Sequence, residues 1–168
     1  MKLQRILLWV LALGLLVGPL DVGCSSKKEK EEEKEKAKEK AIAVSLVNVR
    51  AICRGCVLYA DSHEQRIPNS LAELKSFLGG MIMLESPRQP KDFDGPGYIY
   101  VKALGGRDLR KFRPAHEYVI VYENPAFCED YINVGFLDGH EERMPLAAFR
   151  QALEDTYKKL GEPMPEGI

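Results

Sequence analysis

The chain has 168 residues, 45% of them hydrophobic and 29% charged, with a formal net charge of -1. Setting aside an N-terminal leader leaves about 140 residues, enough for one domain with a real core and too few for two. The balance of 24 basic and 25 acidic residues gives no electrostatic ground for a nucleic-acid partner.

Lys2 and Arg5 precede an apolar stretch from Ile6 to Val17, broken by Gly18 and Pro19 and followed by LDVGC ending at Cys24. A basic start, a short apolar middle and small residues before a cleavage point predict a secretory signal peptide over residues 1–24. The stretch falls short of the ~18–20 residues a membrane-spanning helix needs, and Pro19 would break its end. Gly23-Cys24-Ser25-Ser26 resembles the lipobox of bacterial lipoproteins, where the cysteine is acylated and becomes the new N-terminus. Asp21 stands where a lipobox usually has Leu, with Leu20 one place further back. The resemblance implies lipidation at Cys24, and Ser25 resembles the outer-membrane sorting pattern. The expected location is then the periplasmic face of the cell membrane or outer membrane. The other reading is an ordinary cleaved signal with Cys24 incidental.

Residues 25–40 carry the low-complexity run KKEKEEEKEKAKEK. Like charges recur at i,i+4 (Glu29/Glu33, Lys30/Lys34, Glu31/Glu35, Lys34/Lys38), which weakens a lone helix; opposite charges at i,i+3 partly offset this. The expectation is a stiff, solvated tether with no binding role, about 20 Å long if helical.

The folded domain is expected over residues 41–160, with 161–168 as a frayed tail. Ile42, Leu46, Val49, Cys53, Cys56 and Ala60 recur at spacings of four and three, one face of a helix reaching about Ser62. A second short helix is predicted after IPN, with Ser70 and Glu73 as a capping box, Leu71, Leu74 and Leu78 buried, and Gly79-Gly80 as its stop. Residues 85–97, ESPRQPKDFDGPG, are turn chemistry. Strands follow at 98–101, 117–122 and 132–137, the last with Ile132, Val134 and Phe136 on one face. Asp138-Gly139 signals a tight hairpin with positive φ angles, returning the strand through His140 to Met144. Pro145 opens a final helix carrying Leu146, Phe149, Leu153, Tyr157 and Leu160. The class is α+β: a long N-terminal helix on an antiparallel sheet of three or four strands, with a C-terminal helix.

Three strings, VNVRAICRGCVLYADSHEQRIPNSLAEL, YVIVYENPAF and INVGFLDGHEERMPLAAFRQAL, resemble in order and spacing the type II secretion pseudopilin-like domain of the H-X9-DG type, over about residues 41–155. The resemblance implies a pilin-like fold, a helix lying across a small antiparallel sheet. Three departures stand out. The lipoprotein-like leader and charged tether replace the prepilin peptidase site and greasy assembly helix. Cys128 stands where the naming His would fall. Glu85-Ser86-Pro87 replaces a Cys-Pro-Ser found in many members.

Cys53-Arg-Gly-Cys56 has CxxC spacing, but it lies mid-helix with no preceding strand, unlike a redox pair at a helix start. No His follows Cys56, so it is not a c-type haem site. Structural thiols are expected, or a disulfide from Cys53 or Cys56 to Cys128, since regular helix geometry fits a 53–56 bond poorly. A zinc site would need Cys53, Cys56 and Cys128 with His63 or His140, which spacing alone does not bring together. His63 and His116 read as solvated loop residues, and His140 with Glu141 as polarity beside a turn. Asp92 and Asp94 offer two loop carboxylates without the rest of a calcium loop. No nucleophile elbow or phosphate-loop spacing is present.

The expected role is therefore non-catalytic: an exported, lipid-anchored protein presenting a pseudopilin-like domain to an unidentified protein partner as scaffold. No cofactor and no small-molecule substrate are expected. The alternative is an exported thiol-redox or zinc protein using Cys53, Cys56 and Cys128.

Overall fold

A computed structural model describes residues 22–80 and 84–166. Its elements are helix α1 (Val22–Ser62), strands β1 (Tyr98–Tyr100), β2 (Val119–Glu123), β3 (Tyr131–Phe136) and β4 (Glu141–Pro145), and helix α2 (Leu146–Leu160). The signal segment lies outside the described residues up to position 21.

The charged run is helical, not merely stiff. Residues 27–40 are exposed throughout, and every one is Lys, Glu or Ala, among the strongest helix formers. That propensity outweighs the like-charge pairs. The compact unit starts at Ala37 rather than Ala41. Lys38 Nζ lies 2.5 Å from Glu129, and Glu39 takes both Arg143 nitrogens at 3.2 and 3.4 Å.

Beyond Ala41, α1 turns its stripe inward. Ile42, Val49, Cys53, Cys56 and Ala60 are buried as the spacing predicts, joined by Ser45 and Ile52, while Leu46 is half-buried. Gly55 also lies on this face, because a Cβ there would meet Leu78 at 3.2 Å. The helix stops without glycine. Glu64 and Gln65 take left-handed φ of 55° and 66°, and Gln65 N–H caps Ala60 O at 2.7 Å.

The second predicted α-helix is a 3-10 turn, Leu71–Leu74. Ser70 makes no side-chain cap; Glu73 instead accepts from Asn69 N and Nδ2, both at 3.2 Å. Only the acidic half of the capping box forms, one residue early. Leu74 and Leu78 are buried as expected and Leu71 is half-buried.

The four strands form an antiparallel meander in the order β1-β2-β3-β4. Tyr98 pairs with Glu123, Tyr122 with Val134, and Asn133 with Arg143. Alternation then assigns the two faces. Tyr98, Val121, Glu123, Asn133 and Gly135 face α1, while Tyr122, Ile132, Val134 and Phe136 face α2, where Tyr122 lies 4.8 Å from Phe149. Both faces are covered, so β3 is buried from Ile132 to Phe136 rather than on one side only. A register shift between Val119 and Val121 marks a bulge in β2. There Val119 N–H donates to Thr156 Oγ1 of α2 at 3.0 Å.

The hairpin lies where the sequence puts it but turns differently. Phe136 N–H donates to His140 O at 2.9 Å and Gly139 N–H to Phe136 O at 3.0 Å, leaving a three-residue loop. Only Gly139 takes positive φ, 92°, in place of two such residues.

The C-terminal stripe is buried at Phe149, Leu153 and Tyr157 and half-buried at Leu146 and Leu160. Pro145 ends β4 and occupies the N-cap position. Gly161, with φ 68°, closes the helix. The tail is partly docked: Glu162 pairs with Arg107 at 2.8 Å, and Met164 packs on the core.

Candidate interaction site

The cysteines are three separate buried thiols. Cys53 and Cys56 lie one turn apart on the packed face of α1, and Cys128 follows β2, its Sγ 3.5 Å from Asn124 O. All three are free, so the expected bond from Cys128 to Cys53 or Cys56 is not formed. Cys53 Sγ is instead committed to the sheet surface over Gly135. Burial pushes the Cys53 thiol well up, and pushes Cys56 and Cys128 to about 12; for Cys128 the neighbouring Glu123 carboxylate adds to the rise. Thiols so protonated are poor nucleophiles and poor metal ligands.

The other proposed ligands lie elsewhere. His63 sits at the end of α1, stacked on Tyr59 at 3.8 Å. His140 is in the hairpin, and His116 is in a 3-10 turn before β2. Asp92 and Asp94 are exposed on either side of Phe93, which packs edge-on against Phe127 at 5.5 Å. Among the described residues no three His, Cys, Asp or Glu side chains gather where they could hold a metal ion. Of Cys24, only the backbone in the first turn of α1 is described.

The most concentrated polar chemistry is one that sequence reasoning missed. Glu123 ends the otherwise apolar β2 and is fully buried. Its Oε1 accepts from Ser45 of α1, and from Ser86 at 3.2 Å. Its Oε2 accepts from Arg88 Nη1 at 2.7 Å and from Asn133 N–H at 3.1 Å. Ser45 also bonds Tyr98 OH at 3.0 Å, and Asn133 Nδ2 donates to Ile42 O at 3.0 Å. This carboxylate therefore ties α1, the 85–97 loop and β3 together. Arg88 is itself only 8% exposed, and a buried carboxylate needs such a partner. The available signal was an acidic residue closing an all-apolar strand.

A surface groove lies between α1 and the hairpin. Arg50, Arg54, Val57 and Leu58 of α1 and Asp138 to Glu141 of the hairpin line an open groove of about 630 Å³. Its walls are fixed. Arg50 Nε donates to Glu141 Oε1 at 2.6 Å, which holds the Glu141 carboxyl below its usual range. His140 Nδ1 lies 2.5 Å from Asp138 Oδ1, and its ring stacks on Phe136 at 4.3 Å. Partial burial pushes the Asp138 carboxyl up, but the His140 bonds outweigh it and leave it lowered. On α1, Val44, Val47 and the groove-lining Leu58 are 43%, 54% and 53% exposed. At helical spacing these three share the face of α1 opposite the buried stripe.

Compared with protein-family models, curated proteins and solved structures, the chain has no match.

Proposed function

We propose that this chain is an exported, lipid-anchored, non-catalytic protein that presents a pseudopilin-like domain to a protein partner. It acts as a scaffold linked to a type II secretion or pilus-like apparatus. The observation that carries the reading is the outer face of α1, where Val44, Val47 and Leu58 lie exposed, the last of them lining a groove with charged walls. Large apolar side chains along one exposed helix face, Val44 and Val47 a turn apart and Leu58 about 17 Å further on, offer an extended strip for a protein contact. The leader ending at Cys24 supports export and anchoring. The thiol-redox or zinc alternative has less support, because its cysteines are buried, separate and protonated.

Two measurements test the reading. Membrane association of the exported protein, lost in Cys24→Ala, is expected; an unacylated soluble product of the wild type would remove the anchor. A photo-crosslinker at position 47 in the native cell should trap a discrete protein adduct that Leu58→Glu abolishes. No adduct at position 47, with efficient labelling elsewhere, would remove the docking face.

A further inference from the structure

A short backbone ladder gathers charges that lie forty residues apart in the chain. Gly106 N–H donates to Ile67 O at 2.8 Å, Ile67 N–H to Arg107 O at 3.0 Å, and Leu109 N–H to Gln65 O at 2.8 Å. Arg66 and Asp108 are the opposed residues of this ladder. Arg66, Gly106, Arg107, Asp108, Lys111 and the buried Phe112 line an open basin of about 460 Å³.

The charges in the basin do not cancel. Asp108 is already occupied: its carboxylate takes Arg110 Nη2 at 2.7 Å and Nε at 2.9 Å, and the Arg110 N–H at 3.0 Å. Glu162 takes Arg107 at 2.8 Å. Arg66 donates to a carbonyl, Gly106 O at 3.1 Å, and to no carboxylate among the described residues. Four cations (Arg66, Arg107, Arg110, Lys111) thus meet two acids (Asp108, Glu162), a local charge of +2. Since the whole chain is -1, the remainder sums to -3.

We propose that this basin is a binding site for a phosphate group, carried either by a small molecule or by a lipid headgroup. Arg66 presents a planar guanidinium fork suited to paired phosphate oxygens, Lys111 adds a point charge, and Arg107 adds positive charge while its Nη2 stays with Glu162. A local +2 matches one phosphate dianion. The net negative remainder of the chain opposes a long polyanion, so a nucleic acid is the disfavoured occupant.

The test is a titration of the purified full chain with inorganic phosphate, followed by amide NMR at constant ionic strength against chloride. Saturable shifts are expected at Gly106, Arg107 and Lys111. Arg66→Gln and Lys111→Gln should each weaken binding at least fivefold, whereas Lys40→Gln, on the exposed charged run of α1, leaves it unchanged. Spectra unaltered outside residues 65–67 and 102–113 establish that the variants fold. Co-sedimentation with phosphatidic acid vesicles, whose headgroup is a phosphomonoester, in excess over phosphatidylcholine and competed by phosphate, identifies the headgroup as source. Phosphate binding without that excess identifies a free ligand. Shifts equal to those of chloride, shifts surviving the Arg66→Gln/Lys111→Gln double variant, or tight oligonucleotide binding without a phosphate response would each overturn the site.

Discussion

The sulfur of Cys53 sits 1.9 Å from the point where a Cβ on Gly135 would stand. Helix and sheet approach so closely there that β3 has room only for hydrogen. Val121 and Val49 crowd the same point at 2.9 and 3.0 Å. Gly135→Ala should therefore destabilise the domain by about 1–3 kcal/mol through overpacking, read as a lower urea midpoint at unchanged slope. Cys53→Ala in the same chain should recover part of that loss. Strictly additive costs would mean that the two residues do not compete for space.

The thiols give a pH-dependent prediction. Cys56 and Cys128, with ordinary values of 9.0, titrate in the folded chain at about 12. A raised folded value favours the protonated form on folding, so this contribution is fully present below pH 9 and lost as pH rises toward 12. Unfolding measured from pH 8 to 11 should show stability falling above 9. Iodoacetamide at pH 8 should leave all three cysteines unlabelled until denaturant is added. Rapid labelling of native Cys53 would contradict its burial.

Breaking the Arg88–Glu123 pair should cost far more than replacing it. Arg88→Ala leaves a buried carboxylate with neutral donors alone (Ser45, Ser86, the Asn133 N–H and the distant Cys128 Sγ), and is expected to lose about 3–5 kcal/mol. The double change Arg88→Met/Glu123→Gln removes both charges and should be the milder variant. Equal losses in calorimetry would argue that the pair contributes nothing beyond packing.

The hairpin offers a separate check. Gly139→Ala places a side chain at φ 92° and should cost roughly 1–2 kcal/mol. Asp138 is held below its ordinary 3.8, so its contribution is present above that pH and fades as pH falls through the lower folded value. Asp138→Asn should flatten the acid limb of the stability profile. An unchanged limb would assign the acid sensitivity to other carboxylates.

Much of this architecture was readable beforehand. The threes-and-fours stripe on α1, the β-branched run before Glu123 and the Asp138-Gly139 turn each reflect one dominant local periodicity or φ requirement. What escaped depends on contacts between distant segments. The end of α1 at Ser62 follows from where the stripe stops, but its means does not, because Glu64 and Gln65 adopt left-handed backbone without glycine. The 71–74 segment carries a helical pattern yet forms a 3-10 turn, with Leu74 seated against Gly55. Glu123 falls one residue past the predicted 117–122 strand, and its role depends on Ser45, Ser86 and Arg88 converging on it from three other places in the chain. The basin around Arg66 was hidden for the same reason.

The two outermost strands have a consequence for crowding. β1 is three residues long, and β4 carries Glu141, Glu142 and Arg143 before ending in Pro145. Short, charged and proline-terminated margins give a neighbouring chain little to extend by strand addition. Many copies concentrated on one surface should therefore remain individually folded, touching through side chains, instead of stitching their sheets into a continuous aggregate.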